Sequence, residues 1–567
     1  MRAIPLFCAL ALALCACAAG PAARPSAAAS GIDVSVPAIA HPRGETAAWW
    51  FQLGASEAAT RGAMRGRAKN LILFVGDGMS LTTVTAARIL QGQRQGGPGE
   101  ENLLAWEHFP ATALSKTYNV NTQTADSAGT MTAMATGAKA RMGAISVAQS
   151  AERGDCTAAL AAPLLSLWEL AAASGMGTGV VTTTRVTHAT PAATFAHAPE
   201  RNWENDTDLP EAAKAAGCID IARQLVESPY GNGPDVLLGG GRKSFMPVDQ
   251  RDPEYDDRVG ERLDGRDLIA HWQRRHPRGQ YVWNARQLAS APATGPLLGL
   301  FEPDHMQYEH DRARDRAGEP SLADMTRAAI ARLARNRNGY VLLVEGGRID
   351  HAHHAGNAHR ALTDTIALSD AVQAATQLTP AQDTLILVTA DHGHTLSMVG
   401  YPTRGNPILG KVRGGSGESS TPGQLAMDAT GLPYATLSYA NGPGYAGATD
   451  QQPEGPKRAN FEASGFRQAE KGRPDLRDVD TEHPDHLQEA MLPLASETHG
   501  GDDVGVWAQG PGSEAVRGTL EQNTVFHLLL QAQPRLRQAL CQHGGCDAQG
   551  VPVHLPDPAQ WRATPDP

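Results

Sequence analysis

The sequence lacks an excess of basic residues, and this limits the partners that the protein can bind. It has 49 lysine and arginine residues against 60 aspartate and glutamate residues, which gives a formal net charge of −11. No segment gathers basic side chains into the concentrated stripe that is typical of a surface that follows a nucleic-acid backbone. The composition therefore argues against a nucleic-acid binding surface.

Long apolar runs are also absent, apart from one near the start of the chain. There Arg2 precedes a short apolar core, residues 4–14, which is too brief to cross a bilayer as a mature helix. We interpret residues 1–20 as a signal peptide or lipoprotein leader. The segment around Cys17 resembles a bacterial lipoprotein box, and cleavage near Ala19 without lipid attachment is the alternative. We therefore expect an exported protein, periplasmic or secreted, that contacts a membrane only through a lipid on Cys17, in that case at the outer membrane.

Cysteine is scarce, with seven residues, of which three lie in the leader. The remaining Cys156, Cys218, Cys541 and Cys546 form an even set, which suits disulfides in an oxidising compartment. The close pair Cys541 and Cys546 predicts a small local loop. Pairing Cys156 with Cys218 would close a loop of about 60 residues and contribute about 4 kcal/mol in the chain-entropy model. Free buried thiols are the alternative.

Glycine and proline are abundant, with 59 and 38 residues, which predicts many turns and long connections rather than a helical bundle. A chain of 567 residues can hold one large domain with insertions. We expect the last 25 residues to be loosely ordered because their prolines forbid regular structure. The predicted organisation is a leader at 1–20, a flexible tether at 21–45, a main domain at 46–396 and 496–540, an inserted subdomain at 397–495 and a C-terminal tail at 541–567.

Short apolar runs of strand length alternate with stretches of helical composition. This alternation predicts an α/β fold with a large, mostly parallel sheet and helices on both of its faces. Several runs end in a carboxylate or a histidine, so these side chains are expected to converge on one rim of the sheet. The predicted strands are 71–75, 179–181, 235–238, 340–344, 384–388 and 504–508, and the predicted helices include 81–90, 130–136, 164–173 and 323–334.

The segment after the apolar run 340–344 is rich in metal ligands. Asp350 and His354 lie four residues apart, so one helical turn would present both to the same metal ion. Glu345 lies about one turn earlier and can serve a second ion. A polar loop whose histidines are merely solvated is the alternative. The further candidate ligands along the chain are Asp77, Asp391, His392 and His499.

Ser127 is the candidate reactive group. The helix-like run 130–136 begins just after it, so its hydroxyl would lie at a helix N-terminus, where backbone N–H groups and the helix dipole favour an anion. A simple N-cap is the alternative interpretation. The presence of two sets of metal ligands favours the catalytic role.

Taken together, these motifs resemble the alkaline phosphatase family, and the animal type more closely than the enteric bacterial type. His188 and His351 distinguish the two, because the animal type has histidine at both positions; this implies a strongly alkaline pH optimum. The resemblance extends over residues 70–510. The matching motifs are Gly76-Asp77-Gly78-Met79, Asp126-Ser127-Ala128, residues 182–193, Arg201-Asn202-Trp203, residues 344–356, residues 389–394 and residues 497–501.

The resemblance implies a site with two zinc ions and one magnesium ion. Imidazole and carboxylate ligands suit zinc, whereas an all-oxygen set suits magnesium. The implied zinc ligands are Asp350, His354 and His499 for the first ion, and Asp77, Asp391 and His392 for the second, which also holds Ser127. The implied magnesium ligands are Asp77, Thr190 and Glu345, with His188 nearby.

The resemblance also implies the reaction, which is hydrolysis of phosphate monoesters through a phosphoserine at Ser127, with release of inorganic phosphate. Arg201 is implied to grip two phosphate oxygens in a bidentate fork, and Asp126 to orient that arginine. The expected binding partners are therefore phosphate monoesters.

Two further features follow from the resemblance. Animal members carry a calcium site, and Glu254, Glu302 and the carbonyl of Phe301 match it; the fourth position falls on Glu319, where the family has aspartate. Surface acids without a metal are the alternative. Family members are homodimers, so the inserted segment 397–495 corresponds to the crown at the dimer interface, and a helix near the first tryptophans would help to embrace the partner.

Two other functions are weighed against this one. A phosphodiesterase or sulfatase-like member of the same metalloenzyme superfamily would usually carry threonine or a modified cysteine in place of Ser127, and would lack Arg201 in this setting. A non-enzymatic, metal-binding lipoprotein would bind zinc without turnover.

Overall fold

The computed structural model describes residues 45–414, 423–445 and 473–562. The predicted leader, with Cys17, and nearly all of the predicted tether lie outside the described residues, as do parts of the predicted insertion. Within these ranges, none of the helices combines the length and the apolar character that crossing a bilayer requires.

A ten-stranded sheet forms the centre of the fold, in the order β15-β2-β14-β8-β1-β7-β3-β4-β6-β5. Its pairs are parallel except where β14 runs antiparallel to β2 and β8. The predicted α/β fold is confirmed. The strands are β1 Asn70–Gly76, β2 Ala111–Lys116, β3 Gly177–Arg185, β4 Val236–Gly240, β5 Gln280–Val282, β6 Leu297–Leu300, β7 Tyr340–Gly346, β8 Thr384–Ala390, β9 Gly393–His394, β10 Leu396–Met398, β11 Leu437–Gly442, β12 Ala490–Pro493, β13 His499–Gly500, β14 Val504–Gln509 and β15 Gly518–Glu521.

Helices cover both faces of this sheet. Leu73 of β1 belongs to an apolar cluster with Phe51 and Phe526, whereas Phe74 points the other way into a cluster with Met325 and Leu362. This period of two, in a strand buried on both faces, is the physical reason for its unbroken apolar run. The helices are α1 Ala47–Arg61, α2 Leu81–Arg94, α3 Ser127–Thr136, α4 Cys156–Ala161, α5 Leu167–Ala173, α6 Ala189–Ala192, α7 Glu211–Ala215, α8 Ile221–Val226, α9 Leu268–Arg275, α10 Ala285–Ser290, α11 Leu322–Leu333, α12 Arg348–His354, α13 Ala358–Leu378, α14 Thr524–Ala532 and α15 Pro534–Gln542.

All six predicted strands of the main sheet are present, but the predicted starts of two helices are wrong. Helix α5 begins at Leu167, three residues after the predicted start at residue 164. Helix α3 begins at Ser127, three residues before the predicted start at residue 130. Asp126 is its N-cap and accepts a hydrogen bond from the N–H of Gly129. Ser127 is therefore the first residue of the helix, and the capping role belongs to its neighbour.

The predicted insertion contains a small sheet of its own, in the order β10-β11-β12. Several apolar side chains on and around it face solvent: Tyr401 is 80% exposed, Met491 69% and Leu492 53%. Strand β10 begins at Leu396, at the predicted edge of the insertion.

The predicted loose order of the C-terminal residues is wrong for the part that the structure describes. Its only helical element is a single 3-10 turn, Pro558–Gln560. Nevertheless, Val551 and Val553 are buried in a cluster with Ala55 and Ala59 of α1. The prolines prevent regular elements here but do not prevent close packing.

Both predicted cysteine pairs form disulfides. Cys156 is joined to Cys218, 62 residues away, and Cys541 is joined to Cys546. The alternative of free thiols is therefore excluded for these four residues.

Candidate active site

The candidate site lies at the carboxyl ends of the central strands β1, β7 and β8. These strands run in register, and Gly76 at the end of β1 lies opposite Ala390 at the end of β8. Asp77 and Asp391 follow directly, and Glu345 is the penultimate residue of β7. All three carboxylates are fully buried, with no exposed surface. The sheet therefore gathers three acids at one edge, as the sequence predicts.

One ligand cluster is built around Asp350 on α12. Its Oδ1 lies 3.4 Å from Nε2 of His354, four residues later on the same helix. The same oxygen lies 3.3 Å from Nε2 of His499, which arrives on the two-residue strand β13. The structure thus brings together the three residues that the resemblance assigns to the first zinc ion.

The hydrogen bonds of the two imidazoles leave both Nε2 atoms without a proton. Nδ1 of His354 donates to the carbonyl of Glu497 at 2.6 Å, and Nδ1 of His499 donates to the carbonyl of Ala125 at 2.7 Å. A neutral imidazole carries one proton, so each Nε2 presents a lone pair, yet these two atoms lie 3.1 Å apart. Two lone pairs this close repel each other unless a proton or a metal ion lies between them, and rings that donate through Nδ1 to a carbonyl are typical of metal-binding histidines.

The second cluster joins Asp77, Asp391 and His392 and includes the candidate nucleophile. Nε2 of His392 lies 3.5 Å from Oδ1 of Asp77 and 3.3 Å from Oδ2 of Asp391. The Ser127 hydroxyl lies 3.1 Å from the same Nε2 and 3.4 Å from Oδ1 of Asp77. Because Ser127 begins α3, its oxygen also stands at a helix N-terminus, where negative charge is favoured.

A third cluster lies on the other side of Asp77. Ligand atoms of Asp77, His188 and Glu345 all lie within 4.8 Å of one another. Oδ2 of Asp77, Oε1 of Glu345 and Oγ1 of Thr190 are buried and have no hydrogen-bond partner among the described residues. Buried acceptors without a donor are costly, so their presence together indicates a cation site.

Arg201 connects this cluster to the helix that carries Ser127. Its Nη1 donates to Oδ2 of Asp126 at 3.1 Å, and its Nη2 donates to Nε2 of His188 at 3.0 Å. Because a guanidinium only donates, Nε2 of His188 accepts, and the proton of that ring lies on Nδ1. Asp126 is therefore hydrogen-bonded to the arginine that the resemblance assigns it to orient.

Comparison with known proteins identifies the family. A family model described as alkaline phosphatase matches residues 68–534. The chain belongs to the alkaline phosphatase family. It is 44% identical over 475 residues to the tissue-nonspecific isozyme of alkaline phosphatase from Gallus gallus, a match that covers 82% of this chain and 84% of that protein. It is 43% identical over 477 residues to alkaline phosphatase from Gadus morhua, with 82% and 92% covered.

A solved structure supports the same conclusion. The crystal structure of Thermus thermophilus alkaline phosphatase matches with a TM-score of 0.56 and 25% identity, over 83% of this chain and 92% of that one. The predicted recognition, including the animal-type resemblance, and the predicted enzyme class, an alkaline phosphatase, are thereby confirmed.

Burial dominates the electrostatics of this alkaline phosphatase site. It raises the pKa of Asp77 well above its usual value, and the neighbouring carboxylate of Asp391 adds to the effect. Burial likewise raises the pKa of Glu345 to about 7. Burial alone would also raise the pKa of Asp350, but the imidazoles around it, His354 first among them, hold that pKa well below its usual range. The protein's own charges, such as that of Arg201, thus compensate the buried carboxylates of the second and third clusters only in part.

Sequence reasoning missed two residues that support the alkaline phosphatase site. Nε2 of His394 lies 2.7 Å from Oδ1 of Asp350, and its Nδ1 bonds to the carboxylate of Glu497. Burial would lower the pKa of His394, but the carboxylate of Glu497 raises it to about 10. His394 lies two residues after His392, within a motif that matches the family, and this position is the signal that could have identified it.

An acidic cluster lies apart from the active site, in the region of the predicted calcium ligands. Ligand atoms of Glu254, Glu302 and Asp315 lie within 4.8 Å of one another. Asp315 was not predicted. The carboxylate of Glu319, predicted as the fourth ligand, accepts the backbone N–H of Gln307 at 3.1 Å through each oxygen. Phe301, which directly precedes Glu302 in the sequence, is buried.

Proposed function

We propose that this protein is an exported phosphomonoesterase that hydrolyses phosphate monoesters through a phosphoserine at Ser127. The observation that carries the proposal is the position of the Ser127 hydroxyl, 3.1 Å from Nε2 of His392 and 3.4 Å from Oδ1 of Asp77. The serine lies at a helix N-terminus and next to the residue that holds Arg201. These are the parts that a phosphoryl-transfer site requires: a nucleophile, an electrophilic environment and a group that grips phosphate.

The donor sets fit two zinc ions and one magnesium ion. Two clusters combine unprotonated imidazole nitrogens with carboxylates, and the third offers mostly oxygen atoms without partners. When bound, the metal ions supply positive charge that lowers the pKa of the Ser127 hydroxyl and offsets the charge of the phosphate dianion. Asp350, His354 and His499 would hold the first zinc ion, and Asp77, Asp391 and His392 would hold the second. Asp77, Thr190 and Glu345 would hold the magnesium ion. His188 belongs to the same cluster, but its Nε2 accepts from Arg201 and its Nδ1 carries the proton, so neither nitrogen is offered as a ligand.

In the first half of the reaction, Ser127 is the nucleophile. Its hydroxyl proton passes to solvent, Oγ attacks phosphorus, and the bond from phosphorus to the alcohol oxygen breaks as the Oγ–P bond forms. The departing alkoxide takes a proton from water. The helix N-terminus at α3 stabilises the negative charge on Oγ before the attack.

In the second half, a water oxygen attacks the phosphorus of the phosphoserine. The Oγ–P bond breaks, inorganic phosphate leaves, and Ser127 regains a proton. Arg201 holds two non-bridging oxygens through both halves, because its planar fork matches their geometry. Asp126 fixes the plane of that fork through the bond to Nη1.

Hydrolysis of an aryl phosphate by the purified protein, loaded with zinc and magnesium, tests the proposed function. We expect rapid release of inorganic phosphate, and an alkaline pH optimum. Ser127→Ala is expected to lose most of the activity while retaining zinc. Full activity in that variant would refute the nucleophile, and faster hydrolysis of an aryl phosphodiester than of the monoester would favour the diesterase alternative.

A calcium site is proposed at the separate acidic cluster. Glu254 and Glu302 match the positions implied by the resemblance, together with the carbonyl of Phe301 and with Glu319. Asp315 supplies a further oxygen within 4.8 Å of the first two carboxylates. Burial raises the pKa of Glu302 to about 7, which a bound cation would reverse. Metal analysis of the purified protein tests this site.

A homodimer is proposed as well. The solvent-facing apolar side chains of the insertion, Tyr401, Met491 and Leu492, form a surface that a second copy would cover. Helix α1, by contrast, packs on its own chain, where Phe51 and Phe526 have ring centroids 5.6 Å apart. Light scattering is expected to give twice the mass of the chain; a monomer at micromolar concentration would contradict the proposal.

Export is supported by the two disulfides, which suit an oxidising compartment. Mass spectrometry of the mature N-terminus distinguishes lipid attachment at Cys17 from plain cleavage.

A further inference from the structure

A polar cleft with a volume of about 670 Å³ opens beside the active site. Its walls include Tyr308 and Arg348, and Arg348 is the first residue of α12. They also include Ala355, which directly follows the proposed ligand His354. The cleft therefore borders the metal clusters from the solvent side. The proposed mechanism makes no use of it.

Arg348 has no ion pair among the described residues, although its charge acts on the buried carboxyl of Asp364 and lowers the pKa that burial raises there. No carboxylate of the described residues lies within 4.0 Å of its guanidinium. Its Nη1 donates to Nδ1 of His351 at 2.9 Å, so this ring nitrogen accepts and brings no negative charge. The guanidinium lies 3.8 Å over the ring of Tyr308, which holds it flat. A positioned guanidinium with no ion-pair partner within 4.0 Å among the described residues thus lines the cleft.

The other charged residues at the floor of the cleft already have partners. Arg360 is bonded to Asp311 at 2.7 Å and to Asp485 at 2.9 Å. Asp315 belongs to the separate acidic cluster. The remaining charges on the rim are largely exposed: Arg314 is 72% exposed. Among the arginines that line this cleft, Arg348 is thus the one for which the described residues provide no ion pair.

A line of contacts leads from Arg348 to the group that grips phosphate. The ring of His351 lies 5.4 Å from the ring of His188, measured between centroids. Nε2 of His188 in turn accepts from Arg201. The rings of His351 and His188 thus lie between two guanidinium groups. Arg201, at one end, is assigned to the reacting phosphoryl group, and Arg348, at the other end, lines the cleft.

We propose that the cleft is a second anion subsite, in which Arg348 binds a phosphate or carboxylate group that lies several atoms from the phosphoryl group being transferred. The inference rests on the proposed function and deepens it, because it names a substrate class. Phosphate monoesters whose alcohol part carries a further anionic group, such as sugar bisphosphates, are preferred over esters of neutral alcohols. The planar fork of Arg348, held against Tyr308, can contact two oxygens of such a group.

A matched pair of substrates tests the subsite. Wild type is expected to hydrolyse glucose 1,6-bisphosphate with a higher kcat/KM than glucose 6-phosphate. In Arg348→Gln, kcat/KM for the bisphosphate is expected to fall about 10- to 100-fold more than for the monophosphate, mainly through KM. Arg348→Lys keeps the charge without the fork and restores part of the difference. Arg360→Gln, at an arginine already paired, is the matched control and keeps the wild-type ratio. Equal values for the two substrates in wild type, or an equal fall for both in Arg348→Gln, would overturn the proposal.

Binding provides a readout that does not depend on turnover. In Ser127→Ala, calorimetric titration is expected to give at least tenfold tighter binding of the bisphosphate than of the monophosphate, and adding Arg348→Gln is expected to remove that gain. Equal affinities in Ser127→Ala overturn the subsite even if the enzyme hydrolyses monoesters. Conversely, selective binding without phosphate release by wild type would overturn the proposed function and leave the subsite standing.

Discussion

Replacement of Asp126 by asparagine tests how the phosphate-gripping arginine is held. The carboxylate of Asp126 is only 3% exposed and accepts four hydrogen bonds. Oδ1 accepts from Nδ2 of Asn119 and from the N–H of Gly129, both at 3.1 Å. Oδ2 accepts from the N–H of Gly143 at 3.0 Å and from Nη1 of Arg201 at 3.1 Å. One buried carboxylate therefore caps α3 and orients Arg201 at the same time.

An asparagine can satisfy only one of these two pairs of donors, because its NH₂ group must face the other pair. If its oxygen keeps the cap, Arg201 loses a charge-assisted hydrogen bond worth about 1.5–3 kcal/mol. In Asp126→Asn we therefore expect kcat/KM for an aryl phosphate to fall roughly 10- to 150-fold. The free energy of unfolding is expected to fall by about 1–3 kcal/mol, because a buried donor loses its acceptor.

The assay is steady-state hydrolysis of an aryl phosphate, together with competitive inhibition by inorganic phosphate and zinc analysis. Inhibition by phosphate is expected to weaken by a similar factor while the zinc content stays the same. Asp155→Asn is the matched control, since Asp155 caps the surface helix α4 and asparagine is an equally good cap. Unchanged kcat/KM and unchanged phosphate inhibition in Asp126→Asn would refute the orienting role.

Four further outcomes are expected. Burial lowers the pKa of His527 to about 3, so between about pH 6.5 and pH 3 the unfolded chain binds a proton at this residue and the folded chain does not. The free energy of unfolding therefore falls by about 2.7 kcal/mol by about pH 4.5. His527→Gln is expected to reduce this dependence of stability on pH, measured by urea titration. Replacing Cys156 and Cys218 together by serine is expected to lower the free energy of unfolding by about 4 kcal/mol, measured by the same titration, and an unchanged midpoint contradicts this. A chelator is expected to abolish activity and to lower Tm, with recovery on adding zinc and magnesium, because the buried carboxylates lose their counter-charge. Asp315→Asn is expected to remove any rise in Tm on adding calcium, whereas Asp155→Asn, at the cap of the surface helix α4, is expected to keep it.

The central sheet could be predicted because its physics is local. The apolar runs that became β1, β7 and β8 are unbroken since both of their faces are buried, and each ends near a glycine or an acid that stops the run. The spacing of Asp350 and His354 likewise fixed their common orientation once a helix was assumed. The roles of single residues, in contrast, depended on the family resemblance and not on the spacing.

The features that were missed depend on contacts between distant parts of the chain. Asp315 lies 61 residues after Glu254 in the sequence, and only the folded loop brings their carboxylates together. The burial of Val551 and Val553 depends on the small residues of α1 almost 500 residues earlier. No local period marks such positions, because neither segment alone is amphipathic over a useful length.

Strand β2, Ala111–Lys116, has only β14 and β15 as neighbours in the sheet. Its hydrogen-bonding edges therefore stay open during synthesis until residues 504–521 have left the ribosome. The sheet therefore cannot be completed until nearly the whole polypeptide has been made, and pairings between segments this distant in the sequence are intrinsically slow to form.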